Sequence, residues 1–453
     1  MTAVRLFDPI SAIRRLDLAA VLDGEPDAIR ERDALVRRGA VPDQGLRAAV
    51  RTTLAEVRAD GDRAVRATNA RVGGGRPDGR LLITSDELRE ACERLDPVVR
   101  LALEQAIRHV RRFAETQRPA STRTMVSPGI DIERRWAPIA GVGCYVPGGS
   151  APYPSSLVMT VVPAQVAGVE RIVVASPADR DGTVHPVLLG AAGLLQVDAF
   201  VVAGGAQAIG ALAFGLPEAD VAAVDRIVGP GNAWVTAAKL EVSGEVGIDL
   251  PAGPSEGMVL ADASADPRLV AADLITQAEH GPDSPAILVT TDVAFAEQVL
   301  WAVGDWLSTA SRGAILEQAL GEHGRIVLAP TLDAAIDFVN AYAPEHLSVD
   351  VEPLEPTVAR LRNAGSLFVG RWAPESAGDY ASGANHVLPT GGLARASGGL
   401  SVDAFGKYTQ VQRITYEGLA SIRSTVAVLA EAEGLMAHRN AIEARFTTPE
   451  ATT

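Results

Sequence analysis

Cysteine is nearly missing from the chain, with Cys92 and Cys144 as the only two. That excludes a disulfide scaffold and a thiolate zinc site, so a bound metal would have to use nitrogen and oxygen ligands. Aromatic residues are scarce at 4%. Strands must then be filled by Val, Ile, Leu and Ala, the aliphatic filling of α/β layers. Positive charge is outnumbered: 41 Lys and Arg stand against 56 Asp and Glu, for a formal charge of -15. The basic surface that phosphate-backbone binding requires is lacking, and a small molecule is the expected partner rather than nucleic acid. No stretch approaches the roughly 18–20 uninterrupted apolar residues of a membrane span, and the opening MTAVRLFDPI has no apolar leader. A cytoplasmic address is expected.

What is present is enough apolar material for several cores. The 453 residues are 47% hydrophobic, which fits two or more packed domains. Residues 1–40 are rich in Arg, Asp and Leu and read as a helical appendage ending in a turn signal at 39–43. Leu46, Val50, Leu54 and Val57 then repeat at helical spacing, Thr84 with Glu87 forms a capping box, and Asp96-Pro97 opens a helix through Leu101, Ile107, Val110 and Phe113. From 142 to 249 the pattern changes to short aliphatic strands at 171–175, 199–203 and 225–228, each ending near glycine. The alternation resumes at 286–290, 325–329, 347–349 and 366–369. The predicted architecture is α/β: two Rossmann-like doubly wound domains, incomplete and without the usual glycine fingerprint, plus small N- and C-terminal helical appendages. The expected division is 1–40 as appendage, 41–141 with 253–395 as the first α/β domain, 142–252 as a second, inserted nucleotide-binding domain, and 396–453 as a C-terminal arm. In that arm a strand at 409–415 precedes one long helix whose narrow apolar face, Leu419, Ile422, Val426 and Leu429, must pack on something else.

Of the seven histidines, His280, His346, His386 and His438 sit among acids, amides and glycines. Asp266-Pro267 starts a helix that stops at Gly281-Pro282, placing Gln277 and His280 on one face of its last turn. The pair suits either a shared metal or a histidine complementing the helix dipole. In YAPEHL, Pro344 breaks a helix just before an aliphatic strand, so Glu345 and His346 are held on a turn as two bases of different strength. A solvated Glu beside a packed His is the bland alternative. The run from Glu375 to His386 reads as a polar, glycine-broken loop at a strand's carboxyl end, with Asp379 a hard ligand and His386 within reach of the same pocket. Glu433 and His438, five apart on the C-terminal helix, point about 140° from each other.

No GxGxxG fingerprint follows a strand at the usual spacing. Three other glycine loops do: one from Tyr145 through Val146, Pro147, Gly148, Gly149 and Ser150, one of Gly204, Gly205, Ala206 and Gln207, and one of Gly229, Pro230, Gly231 and Asn232. Each is expected to leave backbone N–H groups free at a helix start, which suits phosphate, although tight βα turns without a ligand have the same composition.

Eight ordered blocks, YVPGGSAPYPSSLVM, AGGAQAIGALAFG, GPGNAWVTAAK, PAGPSEGMVLAD, TQAEHGPDS, YAPEHL, ESAGDYASGANHVLPT and AEGLMAHRNA, resemble the histidinol dehydrogenase family over nearly the whole length. The resemblance implies the four-electron oxidation of L-histidinol through L-histidinaldehyde to L-histidine, in the last steps of histidine biosynthesis, with zinc and NAD. It implies zinc on Gln277, His280, Asp379 and His438. It implies Glu345 and His346 as catalytic acid/base residues, His346 taking the alcohol proton and Glu345 activating water. Ser255, His386 and Glu433 match further substrate-contacting positions, and Tyr145, Gln207 and Asn232 match nucleotide contacts. A homodimer is implied, in which the C-terminal arm lends Glu433 and His438 to the neighbouring site. Cys144, with no base at a suitable position, reads as a small buried residue. Residues 1–40 and the Gly73–Gly75 loop carry no recognisable motif.

Three rivals are separable. A relative that oxidises a sulfonated diol conflicts with an acidic acceptor at Glu433. A silent metal-binding protein has no need of the Glu345 and His346 pair. A zinc hydrolase has no need of the three glycine loops.

Overall fold

Helix boundaries follow from local capping chemistry. The computed structural model describes residues 7–39, 42–148 and 152–447; Gly149 and Ser150 of the first glycine loop, and residues 40–41 of the expected turn, lie outside them. Asp43 caps the helix Gln44–Asp60, Thr84 and Glu87 form the reciprocal capping box of Ser85–Glu93, and Asp96 caps Pro97–Thr116 with Pro at its first position.

The chain divides into two compact units, Met1–Gln117 with Ile139–Phe405, and Arg118–Pro138 with Gly406–Thr453. Among the described residues the larger unit holds two six-stranded sheets. The first runs Arg14–Asp17, Arg325–Leu328, Ala286–Thr290, Gly257–Ala261, His346–Asp350, Ser366–Val369, all parallel. The second runs Leu82–Ile83, Ala199–Val202, Arg171–Ser176, Gly141–Tyr145, Arg226–Val228, Gly247–Ile248, parallel except for its antiparallel first edge. In each, after a first edge strand, Arg14–Asp17 or Leu82–Ile83, the chain passes to a central strand, winds outward toward that edge, then crosses back to the other side. That is doubly wound topology, with a switch point beside the central strand.

The helical stripe of Val50, Leu54 and Val57 buries against Ile209, Leu212 and Val173 of the second sheet's layer. Val50 and Val57 are 0% and 1% exposed, so each contributes about 1.5–3 kcal/mol of apolar burial. Residues 44–72 and the strand Leu82–Ile83 thus build on the second sheet, not on the first domain as the sequence division has them. Likewise, residues 1–40 are not a separate appendage. Arg14–Asp17 adds a parallel edge strand to the first sheet, and Leu16 and Leu18 join its core.

The smaller unit is a three-stranded antiparallel sheet, Gly406–Ile414 beside Ile130–Pro138 beside Thr122–Ser127, followed by the helices Tyr416–Ala432 and Met436–Thr447. The expected single long helix is therefore two. Gly434 takes φ 72°, a left-handed conformation that ends the first helix. The pair is held by the Arg423–Glu443 ion pair and by Tyr416 edge-on to Phe446 at 5.3 Å. Among the described residues, no helix is long and apolar enough to cross a membrane.

Candidate active site and metal centre

The helix Leu332–Tyr342 ends at Ala343, whose φ of 55° and ψ of 69° are left-handed, and Pro344 forbids continuation. Glu345 follows, and His346 opens the strand His346–Asp350. Gly365 lets the neighbouring chain come in close, since a Cβ there would lie 2.6 Å from the Glu345 carbonyl. The backbone N–H groups of Gly365 and Ser366 donate to the carbonyls of Pro344 and Glu345 at 2.9 Å each. His346 pairs in register with Gly257, so Ser255 and Glu256 arrive beside Glu345. The Glu345 carboxylate, 6% exposed, accepts from the Ser255 hydroxyl at 2.8 Å and from the Glu256 N–H at 3.0 Å. Burial outweighs those two hydrogen bonds and pushes its pKa up to about 8. Burial, reinforced by His280 and His386, pushes His346 down to about 3, leaving a neutral imidazole at pH 7.

Gln277 lies in the last turn of the helix Pro267–Ala278, 1% exposed, with Oε1 3.3 Å from His346 Nδ1 and Nε2 donating to Ser255 Oγ at 3.4 Å. His280 is not on that helix, as the sequence spacing predicts, but in the turn beyond Glu279, its Nδ1 3.2 Å from the Gln277 carbonyl. The expected loop after Ser366–Val369 contains a short helix, Glu375–Tyr380, which puts Glu375 and Asp379 four apart on one face. Glu375 Oε1 lies 3.9 Å from His280 Nδ1 and 3.8 Å from His346 Nδ1, and Asp379 oxygens lie 3.9 Å from Nε2 of both histidines. Ligand atoms of His280, Glu375 and Asp379 all fall within 4.8 Å of one another. His386 donates from Nδ1 to the Asp379 carbonyl at 3.0 Å, and its Nε2 is 3.2 Å from Ser156 Oγ. Burial and the Asp379 and Glu345 carboxylates hold the Glu375 pKa well above its ordinary range.

Gln277, His280, Glu345, His346, Asp379, His386 and Ser255 are thus gathered in one place. That place is the amino edge of the first sheet, opposite to the carboxyl edge that the fold class favours. Strand starts and the carbonyl ends of two returning helices meet there. Glu375 is a functional candidate outside the set the sequence points to; its signal is the Glu-x-x-x-Asp spacing, which shares a face only because the segment is helical. The cluster fits a cation on the observed chemistry. Glu375 Oε1 is buried without a hydrogen-bond partner among the described residues, a costly state that a metal among oxygen and nitrogen donors relieves. Glu433 caps the end of Tyr416–Ala432 and His438 lies on Met436–Thr447; both belong to the smaller unit and are exposed.

The nucleotide candidates stand at the carboxyl edge of the second sheet. Gly204 precedes the helix Gly205–Phe214, and Asn232 caps Ala233–Val242. Their donors are less free than expected. The Gly205 N–H reaches the Tyr145 hydroxyl at 3.3 Å, and Asn232 Oδ1 accepts from Trp234 and Val235 at 3.0 and 3.2 Å. Gln207, 3% exposed, donates to Asn69 Oδ1 at 3.1 Å, a partner the sequence offered no means of finding.

One sheet with helix N-termini that suit phosphate, and another with a cation-compatible cluster and two proton carriers, is the division of work of a metal-dependent, dinucleotide-using dehydrogenase. A family model described as histidinol dehydrogenase matches residues 36–446. The histidinol dehydrogenase of Leifsonia xyli is 46% identical over 418 residues, 91% of this chain and 95% of that one. That of Haloarcula marismortui is 45% identical over 432 residues, 95% and 100%. The crystal structure of histidinol dehydrogenase from Elizabethkingia anophelis superimposes with a TM-score of 0.88 at 36% identity, over 96% of this chain and 98% of that one. The chain belongs to the histidinol dehydrogenase family, NAD-dependent and zinc-binding oxidoreductases of histidine biosynthesis.

Proposed function

We propose that the amino edge of the first sheet is where this chain oxidises L-histidinol through L-histidinaldehyde to L-histidine. The observation that carries the reading is the buried pair Glu345 and His346, one pushed up to about 8 and the other down to about 3, beside a cation-compatible cluster. Gln277, His280 and Asp379 would hold zinc, with Glu375 a fourth donor within reach. Zinc would supply a positive anchor for the substrate, and NAD would supply the hydride acceptor. His346, neutral at pH 7, takes the alcohol proton. Glu345, whose affinity for a proton lies near working pH, takes one from the water that adds to the aldehyde. Ser255 orients Glu345 through its hydroxyl, and His386 contributes a substrate contact. Residues 142–252 form the nucleotide-binding part, where Tyr145, Gln207 and Asn232 shape the loops. A cytoplasmic address accords with the family's biosynthetic chemistry.

The arm is assigned to a second copy of the chain in a homodimer, with Glu433 and His438 completing the partner's site. Supporting this are its exposed apolar side chains, Val428, Leu429, Leu435 and Met436, at 64, 58, 43 and 44%. Mixing inactive His346→Asn and His438→Ala chains should restore about a quarter of wild-type activity, because half the dimers are mixed and each has one intact site. No recovery after verified subunit exchange would refute the crossing. For the reaction itself, purified zinc-loaded protein with L-histidinol and NAD should form two reduced cofactors per substrate. One per substrate would reduce it to a simple alcohol dehydrogenase.

A further inference from the structure

Arg38 lies just beyond the helix Pro26–Val36, in a segment without any recognisable motif, yet its side chain is only 17% exposed. All five of its N–H donors are used. Nε donates to Glu256 Oε2 at 2.7 Å, and Nη2 donates to Glu256 Oε1 and to the Ala343 carbonyl at 3.3 Å. Nη1 donates to the carbonyls of Tyr342 at 2.7 Å and Leu35 at 3.3 Å. The guanidinium also lies over the Tyr342 ring, with Cζ 3.3 Å from the centroid.

The acceptors are what matter. The Glu256 N–H is one of the two groups bonded to the Glu345 carboxylate, and the Glu256 carbonyl accepts from the His346 N–H at 3.2 Å. Tyr342 ends the helix that delivers Glu345, and Ala343 is its left-handed cap. A single rigid planar cation therefore ties together the two segments that fix where the Glu345 carboxylate sits: the start of Gly257–Ala261 and the turn at 342–345. Lysine, a point charge with three donors, cannot span both.

We propose that Arg38 is a positioning residue for Glu345, setting the carboxylate for the water-dependent aldehyde step. This rests on Glu345 acting in that step. A guanidinium that only held the fold would lower both half-reactions alike. One that aims Glu345 selectively slows aldehyde oxidation and leaves the reverse of the alcohol step, aldehyde reduction by reduced NAD, nearly untouched.

The test uses full-length, zinc-loaded Arg38→Lys, Arg38→Met and the double variant Arg38→Met/Glu256→Gln, the last removing the buried carboxylate that the single change strands. Oxidation and reduction of histidinaldehyde are measured separately, with zinc content checked. In Arg38→Met and the double variant, oxidation should fall on the order of 10–100-fold while reduction and the KM for NAD stay within about threefold. Arg38→Lys should recover only part of the oxidation rate. Equal losses in both directions, or a double variant with unimpaired oxidation, would overturn the proposal. Glu345→Gln run in parallel separates the two ideas: if it too leaves oxidation intact, the reading of Glu345 fails, whereas selective loss there without loss in the Arg38 variants sinks the positioning role alone.

Discussion

In the sheet centred on Gly141–Tyr145, the polar residues singled out for a nucleotide stand at the carboxyl ends of the strands, at the starts of the helices Gly205–Phe214 and Ala233–Val242. In the sheet centred on Gly257–Ala261, wound in the same order, the titratable residues crowd the amino ends, where the helices Pro267–Ala278 and Leu332–Tyr342 finish. The helix dipole accounts for the difference. N-termini carry partial positive charge and suit an anion such as a pyrophosphate; C-termini carry partial negative charge and suit a cation. One topology thus offers two electrostatically opposite edges, and the proposed function uses one of each.

The largest effect that could break this contrast is at His346. His346→Asn should lower turnover by about 10²–10⁴-fold while zinc content, measured by mass spectrometry, stays nearly unchanged. Metal loss would move His346 from proton carrier to ligand.

A smaller effect is expected from pH on the metal-free chain. The folded-state pKa of Glu345 is raised to about 8 from 4.5, so its stabilising contribution is complete below pH 4.5 and is lost as pH rises through 8. His346, lowered to about 3 from 6.5, acts in the opposite sense, but only below about 6.5. Between pH 6.5 and 8 the chelator-treated chain should lose about 1–2 kcal/mol of stability. Added zinc should flatten the trend in thermal melts. A metal-free chain that gains stability over that range would contradict the buried carboxyl cluster.

On the other sheet, Asn232→Ala removes a helix cap worth about 1 kcal/mol and should raise the KM for NAD several-fold, with the rate at saturating NAD little changed. An unchanged KM would detach that loop from the cofactor. Smallest of all is Cys144: burial pushes its thiol to about 12, so iodoacetamide at pH 8 should label Cys92 and spare Cys144, without loss of activity. Rapid labelling of Cys144 with inactivation would revive a thiol mechanism.

Local rules carried much of this. Asp96, Thr84 with Glu87, and the Tyr342 to His346 break behave as their capping and proline chemistry predicts, because caps depend on near neighbours alone. What was illegible depends on distant ones. That Arg14–Asp17 is an edge strand is decided by Arg325–Leu328, more than 300 residues away. That the cluster lies at an amino edge follows only once Gly257 is paired with His346. Glu375 was obscured by a glycine-rich run whose short helix is stabilised by burial rather than propensity, and the break at Gly434 interrupted an apolar spacing that looked continuous.

Zinc content of the dialysed, purified chain tests the central claim most directly. The wild type should retain one zinc per chain, while His280→Asn and Asp379→Asn should each lose most of it with their fold, checked by circular dichroism, intact. Full zinc in both variants would mean that the metal is held elsewhere than at the amino edge of the first sheet.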